Sequence, residues 1–174
     1  MVSNWFRSYG FADVFDGFLI GAYPLDEADV SMLASLGVER VLNLAEESEY
    51  RPGQRDVVEA ALDASGIEEH RLPLPDYGGL PPALIERAVQ DILDWLRQGK
   101  RTYVHCRAGW QRSAVLAAAA VAVRENVDVE QALALVQLRK PSADPLPHQR
   151  EDLRRWWSER ETSTAIRPPA EDGA

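Results

Sequence analysis

Val104-His105-Cys106-Arg107-Ala108-Gly109-Trp110-Gln111-Arg112-Ser113 is the stretch on which the fold turns. Arg101 to His105 reads as a strand, Cys106 to Gln111 as a loop, and Arg112 as the start of a helix. That helix is apolar nearly all round through Val123, so it belongs at the centre of the molecule. A strand that feeds through a short loop into a buried helix is the repeating unit of a layered α/β architecture.

Working outward, the same alternation recurs. Phe18 to Gly21 is a short strand closed by Tyr23-Pro24. Asp26 and Asp29 form an expected capping box ahead of the stripe Val30, Leu33 and Ala34, and Gly37 ends that helix. Val38 to Leu44 is a strand rich in β-branched and aliphatic residues. Pro52-Gly53 opens a helix with Val58, Ala61 and Leu62 inward and Gly66 as terminator. Ile67 to Leu74 returns as a strand and enters the Pro/Gly-rich loop Pro75 to Pro82. Ile85, Ala88, Val89, Ile92 and Leu96 mark one face of a helix that stops at Gly99. Asp128 and Gln131 suggest a second capping box, before a helix with Ala132, Leu135 and Val136 inward. Beyond Pro141–Pro147, the stripe Gln149, Leu153, Trp156, Trp157 marks a last helix. The expectation is an α/β fold with a central, mostly parallel sheet of four to five strands flanked by helices. It places one domain over residues 1–160 and a flexible, polar C-terminal tail over 161–174.

Composition removes several classes of function. The 174 residues carry 19 basic and 28 acidic side chains, a net charge of −9, which argues against nucleic-acid binding. Three histidines and one cysteine do not make a zinc cage of thiolates and imidazoles, and neither a metal nor another cofactor is expected. A lone cysteine forms no internal disulfide and suits a reducing compartment. MVSNWFRSYG lacks the order of a secretory leader, and the longest apolar run, Ala114 to Val123, is about half a membrane span. A cytoplasmic protein with no transmembrane segment is expected.

The chemistry expected of the quoted loop is anion binding. Backbone N–H groups converge in a tight strand-to-helix loop, and the helix N-terminus adds positive potential. Gly109 permits a turn that a side chain resists. Arg112 supplies a planar fork suited to phosphate oxygens. The same field lowers the Cys106 thiol toward the thiolate, the form that attacks. Inorganic phosphate, sulfate or vanadate should therefore occupy the loop. A packing cysteine before a helix is the plain alternative, weakened by the arrival of every other element in order.

His105-Cys106, five residues, Arg112 and Ser113 resemble the signature of the protein tyrosine phosphatase superfamily, and the surrounding layout resembles its dual-specificity branch. Rhodanese-like loops have one residue fewer before the arginine, and low-molecular-weight tyrosine phosphatases carry the motif near the N-terminus. The likeness spans about residues 18 to 157, including GAYPL, VLNL and RKPSADP followed by Gln149. It implies a dual-specificity phosphatase-like fold, a nucleophile at Cys106 and a phosphocysteine intermediate. It implies phosphate binding by Arg112 and the backbone of Arg107, Ala108, Gly109, Trp110 and Gln111. It also implies a Ser113 hydroxyl that helps expel the thiolate and a His105 that orders the loop. The family places an acid on a loop about thirty residues before the cysteine; Asp76 lies there, with Gly78 and Gly79 as hinges. Asp63, Asp91 and Asp94 fall within helices, and an ordinary turn aspartate is the plain alternative for Asp76.

Two substrate classes follow. The leading one is a phosphorylated protein, dephosphorylated at tyrosine, serine or threonine. The alternative is a phospholipid, a phosphoinositide or phosphatidylglycerophosphate. Arg107-Ala108-Gly109 is similar to the loop start of lipid-directed members, and Glu46 to Tyr50 (EESEY) resembles the acidic loop of phosphatidylglycerophosphate phosphatases. Against it, Trp110 and Gln111 stand where a second basic residue is expected. Trp110 reads equally as a stacking platform or a packing indole, and Arg107 as a substrate contact or a solvated side chain. A catalytically silent phosphate-binding module is the third reading, disfavoured because nucleophile, arginine, Ser113 and acid are all present.

Overall fold

Four parallel strands form the sheet's body: β2 (Phe18–Gly21), β3 (Arg40–Asn43), β4 (Glu68–Arg71) and β5 (Thr102–His105). β1 (Phe11–Phe15) pairs antiparallel with β2, giving the order β1-β2-β5-β3-β4 in this computed structural model, which describes residues 1–166. Helices α1 (Asn4–Tyr9), α2 (Glu27–Ser35) and α3 (Gln54–Ala64) cover one face. Helices α4 (Pro82–Arg97), α5 (Arg112–Glu125), α6 (Val129–Arg139) and α7 (Pro147–Ile166) cover the other.

The strand pleat explains this division, because successive side chains point to opposite faces. Leu19, Val41 and Tyr103 pack toward Val30, Leu33, Val58 and Leu62. Ile20, Leu42 and Val104 pack toward Ile85, Val89 and α5. Every residue of α5 from Arg112 to Ala122 is buried, as its all-round apolarity requires. Because β2 to β5 run parallel, their carboxyl ends share one edge, and four loops meet there.

Several local readings change. β2 falls where the sequence places it, whereas β1 and α1, at five and six residues, carry no distinct periodicity. The β1–β2 hairpin does carry a signal, the Asp16-Gly17 pair between Phe15 and Phe18, with Gly17 at φ +83. The strands are shorter than expected: Leu44 and Leu74 fall outside them and turn their carbonyls to Arg112. Asp26 caps α2 by accepting from Asp29 N–H at 3.0 Å. Asp29 does not complete a capping box. Its buried carboxylate accepts from Ser3 N and Ser3 Oγ at 2.7 Å and Leu25 N at 2.9 Å, tying α1 to α2. Leu135 is exposed rather than inward, because Val129, Ala132, Leu133 and Val136 form the buried stripe of α6. Residues 161–166, assigned to the tail, continue α7. No glycine or proline interrupts them, and Thr162, Ser163 and Thr164 donate to carbonyls four residues back. The rest of the expected tail lies outside the described residues.

Candidate active site

Two of the four carboxyl-edge loops line one pocket, and the other two hold it in place: Glu49 pairs with Arg112, and Tyr23 N–H holds the Arg107 carbonyl. The loop after β5 carries Cys106, that after β4 carries Asp76, that after β3 carries Glu49, and that after β2 carries Tyr23. The pocket, of about 140 Å³, has Cys106 and Arg112 in it and is walled by Asp76, Tyr77 and Trp110 and by Trp5 and Tyr9 of α1.

The 106–111 loop is tied from outside. Arg107 O accepts from Tyr23 N at 3.0 Å and Trp5 Nε1 at 3.3 Å, and Trp110 O accepts from Asp144 N at 2.7 Å. With these carbonyls turned outward, the loop's N–H groups are left for the pocket. Gly109 is indispensable to this course. It sits at φ +73, and a Cβ there would come within 2.5–2.7 Å of the Gly21 backbone.

Cys106 Sγ lies 3.4 Å from Ser113 Oγ and is 3% exposed. Burial alone would push its thiol up. The Arg112 guanidinium, the Ser113 hydroxyl and the N–H groups of Ser113 and Gln111 outweigh burial and hold it below the ordinary thiol value. His105 is fully buried, and desolvation pushes it down to about 3, so it stays neutral. Its Nδ1–H donates to Cys106 O at 3.0 Å, which pins the carbonyl side of the nucleophile candidate. The alkylation rate of Cys106 by iodoacetamide should track its thiolate. A depressed thiol keeps that rate on its plateau to lower pH and loses it as pH falls through the folded value. The midpoint is expected below about 8.5, the value of a free thiol, and Ser113→Ala should move it upward. A wild-type midpoint at or above the free value would contradict the electrostatic account.

Arg112 is buried and heavily engaged. Nη1 and Nη2 donate to the two Glu49 oxygens at 2.7 and 2.8 Å, Nη1 also reaches Leu74 O at 2.8 Å, and Nη2 reaches Asp76 Oδ1 at 3.0 Å. Burial would lower the guanidinium, but Glu49 and the neighbouring Cys106 and Asp76 charges raise it further above its ordinary value. Its Nε is buried with no partner among the described residues. Nε–H and the Nη2–H facing Asp76 therefore form the prong open to the pocket, while Glu49 fixes the other end.

Glu49 is the residue sequence reading missed. It lies within EESEY, whose acidity is legible in the sequence and whose pairing with the loop arginine is not. Burial would raise its carboxyl, but Arg112 and the Glu46 N–H outweigh it and hold it below the ordinary carboxylate value. Asn43 secures the segment: Oδ1 accepts from Ala45 N at 2.9 Å and Nδ2 donates to Tyr50 OH at 2.8 Å.

The structure thus brings Cys106, Arg112, Ser113, His105 and Asp76 together. Ala108 and Gln111 line the same pocket. The Arg107 side chain is exposed and lies over the Trp5 ring, 5.5 Å from its centroid, so it braces α1 at the rim. Trp110 is 41% exposed with its ring 5.1 Å from Tyr9. A larger groove of about 740 Å³ opens at the opposite sheet edge. Its cations, Arg97, Lys100, Arg101 and Arg124, each already face a carboxylate. No group of metal-ligating side chains occurs among the described residues, and no described helix is long and apolar enough to cross a membrane.

A mixed α/β sheet with a cysteine–arginine loop at its carboxyl edge is the arrangement of a cysteine-based phosphatase. The chain belongs to the dual-specificity phosphatase family of the protein tyrosine phosphatase superfamily, whose catalytic-domain model matches residues 20–159, and it is a phosphoric monoester hydrolase. It is 30% identical over 142 residues to the mouse (Mus musculus) phosphatidylglycerophosphatase and protein-tyrosine phosphatase 1, covering 81% of this chain and 72% of that protein. Among solved structures it resembles PTPMT1 at TM-score 0.78 and 26% identity, covering 91% of this chain and 100% of that one. The PTPMT1 complex with PI(5)P gives TM-score 0.76 at 26% identity, covering 88% and 98%.

Proposed function

We propose that the chain hydrolyses the phosphomonoester of a glycerol-based phospholipid of the phosphatidylglycerophosphate class, through a phosphocysteine on Cys106. The observation that carries the choice of substrate is the mouth of the pocket. Tyr77 is 67% and Trp110 41% exposed, and they flank a thiol that is 3% exposed. A buried, cationic floor beneath exposed aromatic rings suits an amphiphile whose phosphate enters while its ester part lies on the rings. The likeness to a phosphatidylglycerophosphatase supports the same reading.

The chemistry follows from the atoms in place. The substrate phosphate engages Arg112 Nε–H and Nη2–H and the loop N–H groups. Cys106 Sγ attacks phosphorus, the bond to the leaving oxygen breaks, and that oxygen takes its proton from Asp76. A phosphate oxygen competing for Nη2 frees the Asp76 carboxyl to turn toward the leaving group. Water then attacks the phosphocysteine and gives its proton to Asp76, and the P–S bond breaks to phosphate and thiolate. The Ser113 hydroxyl, 3.4 Å from the sulfur, stabilises the departing thiolate by donating to it. His105 holds the Cys106 carbonyl throughout.

A dual-specificity protein phosphatase is the second reading. Trp110 and Tyr77 could flank a phosphotyrosine ring, and the mouse relative's name includes protein-tyrosine phosphatase. A panel of phosphatidylglycerophosphate and PI(5)P in mixed micelles, with phosphotyrosine and phosphothreonine peptides, decides between them. The expected result is a kcat/KM for phosphatidylglycerophosphate about tenfold or more above either peptide, a margin of about 1.4 kcal/mol in transition-state binding. A phosphotyrosine peptide that matches or exceeds the lipid would overturn the lipid reading.

A further inference from the structure

Tyr77 holds a backbone conformation that its own side chain disfavours. Pro75–Gly78 is a tight turn closed by Gly78 N–H donating to Pro75 O at 2.9 Å, and Tyr77, at its third position, has φ +59. Glycine or asparagine ordinarily fills such a position. A bulky residue stays there only where its surroundings over-determine the turn.

Those surroundings come from one helix, far along the chain. The start of α7 presents three side chains to the loop. His148 Nε2 donates to Tyr77 O at 2.9 Å, and Gln149 Nε2 donates to Gly78 O at 2.9 Å. Asp152 Oδ2 accepts from Leu80 N at 2.8 Å, across 72 residues of sequence. Gln149 is fully buried, and its amide oxygen accepts from Leu146 N at 3.0 Å, so both ends of the amide are committed and its orientation is determined. Gly79 lies so close that a Cβ there would come within 2.8 Å of Asp152 Oδ2.

We infer that His148, Gln149 and Asp152 are positioning residues for proton donation: they hold the strained turn in the form that aims the Asp76 carboxyl at the pocket, 3.0 Å from Arg112 Nη2. This rests on the reading of Asp76 as the proton donor. Without the three contacts, only the Gly78 N–H bond to Pro75 O and the Asp76 contacts with Tyr77 N–H and Arg112 oppose the cost of the left-handed Tyr77, and the turn relaxes with Asp76 moving away. Arg112 does not move with it, because Glu49 and the Leu44 and Leu74 carbonyls hold the guanidinium. Cys106 keeps its own partners. The defect is therefore selective: attack survives, and protonation of the leaving group is lost.

Selectivity of that kind is read by varying the leaving group. Gln149→Ala, Asp152→Ala and the exposed-site variant His148→Ala are compared with wild type on an alkyl phosphate and on p-nitrophenyl phosphate, whose stable leaving group needs little protonation. Gln149→Ala and Asp152→Ala are expected to lower kcat/KM on the alkyl phosphate about tenfold or more, and on the nitrophenyl ester by less than about threefold. His148→Ala should show the same bias at smaller size. Asp152→Asn keeps an acceptor oxygen for Leu80 N–H and should restore alkyl-phosphate turnover. Tyr77→Gly, which removes the strain, should recover part of it in the Asp152→Ala background. Unchanged iodoacetamide reactivity at Cys106 verifies that the nucleophile loop is intact in each variant. Equal losses on both substrates, or alkyl-phosphate turnover untouched in all three alanine variants, would overturn the inference. Asp76→Asn, run alongside, separates two failures. If it shows no leaving-group bias, the proton-donor reading falls and the positioning role falls with it. If it shows the bias and the α7 variants do not, only the positioning role falls.

Discussion

Cys106→Ser is expected to abolish turnover on every substrate, by about 10⁴-fold or more, while the protein still binds inorganic phosphate. The substitution changes one atom in a site that is otherwise rigid. A hydroxyl is close in size to the thiol, so the N–H groups of Gln111 and Ser113 and the Arg112 fork keep their places around it. What vanishes is the reactive form. The Arg112 charge and the Ser113 contacts bring a thiol down toward ionisation, but an alcohol starts far too high for the same field to ionise it. Steady-state rates on p-nitrophenyl phosphate, paired with a phosphate titration by calorimetry, measure both halves. Residual turnover near a hundredth of wild type would refute the covalent route. Loss of phosphate affinity together with activity would mean that the variant had disturbed the loop instead.

The parts of this site that sequence reading reached are those encoded by contiguous residues. Cys106, Gly109, Arg112 and Ser113 lie on one strand–loop–helix passage, where spacing alone reports geometry. Asp76 was reached through family spacing, and its loop was visible from Pro75, Gly78 and Gly79. Glu49 was not reached, because its role depends on a pairing across 63 residues that no local pattern encodes. The same holds for α1. Six residues offer no periodicity, yet Trp5 and Tyr9 wall the pocket because buried Asp29, from another helix, anchors Ser3. Asp29 follows for a related reason: a capping box and a tertiary anchor look identical in sequence, and packing selects the anchor. Leu135 shows a limit of another kind, since a helix rich in alanine and leucine offers several apolar stripes, and packing against α5 decides which one is buried.

Arg112→Lys is expected to cost about 10³-fold or more in kcat/KM, although the charge is conserved. An ammonium is a point charge on a flexible stem, whereas the site uses a guanidinium as a two-ended bracket. One end is held by both Glu49 oxygens at 2.7 and 2.8 Å, and the other offers Nε–H and Nη2–H to the pocket. A lysine that stays paired with Glu49 has no second prong to present, and one that turns to phosphate leaves Glu49 buried without its partner. Glu49→Gln tests the other half of the bracket. It keeps the shape and one acceptor oxygen, so phosphate binding should weaken less than in Arg112→Lys, with the double variant no worse than Arg112→Lys alone, as residues acting through one group require. Glu49→Ala removes the carboxylate altogether and should destabilise the fold by roughly 3–5 kcal/mol, because Arg112 is then left buried with part of its charge unpaired. The pH dependence carries a definite sign. The Glu49 carboxyl lies below its ordinary value in the folded protein, so its stabilisation is complete above that ordinary value and is lost as pH falls through the folded one. Denaturant melts of wild type and Glu49→Ala should therefore converge toward acid. Parallel curves across that range would detach Glu49 from the stability of the loop, and independent, multiplicative losses in the Arg112→Lys/Glu49→Gln double variant would detach it from the function of the arginine.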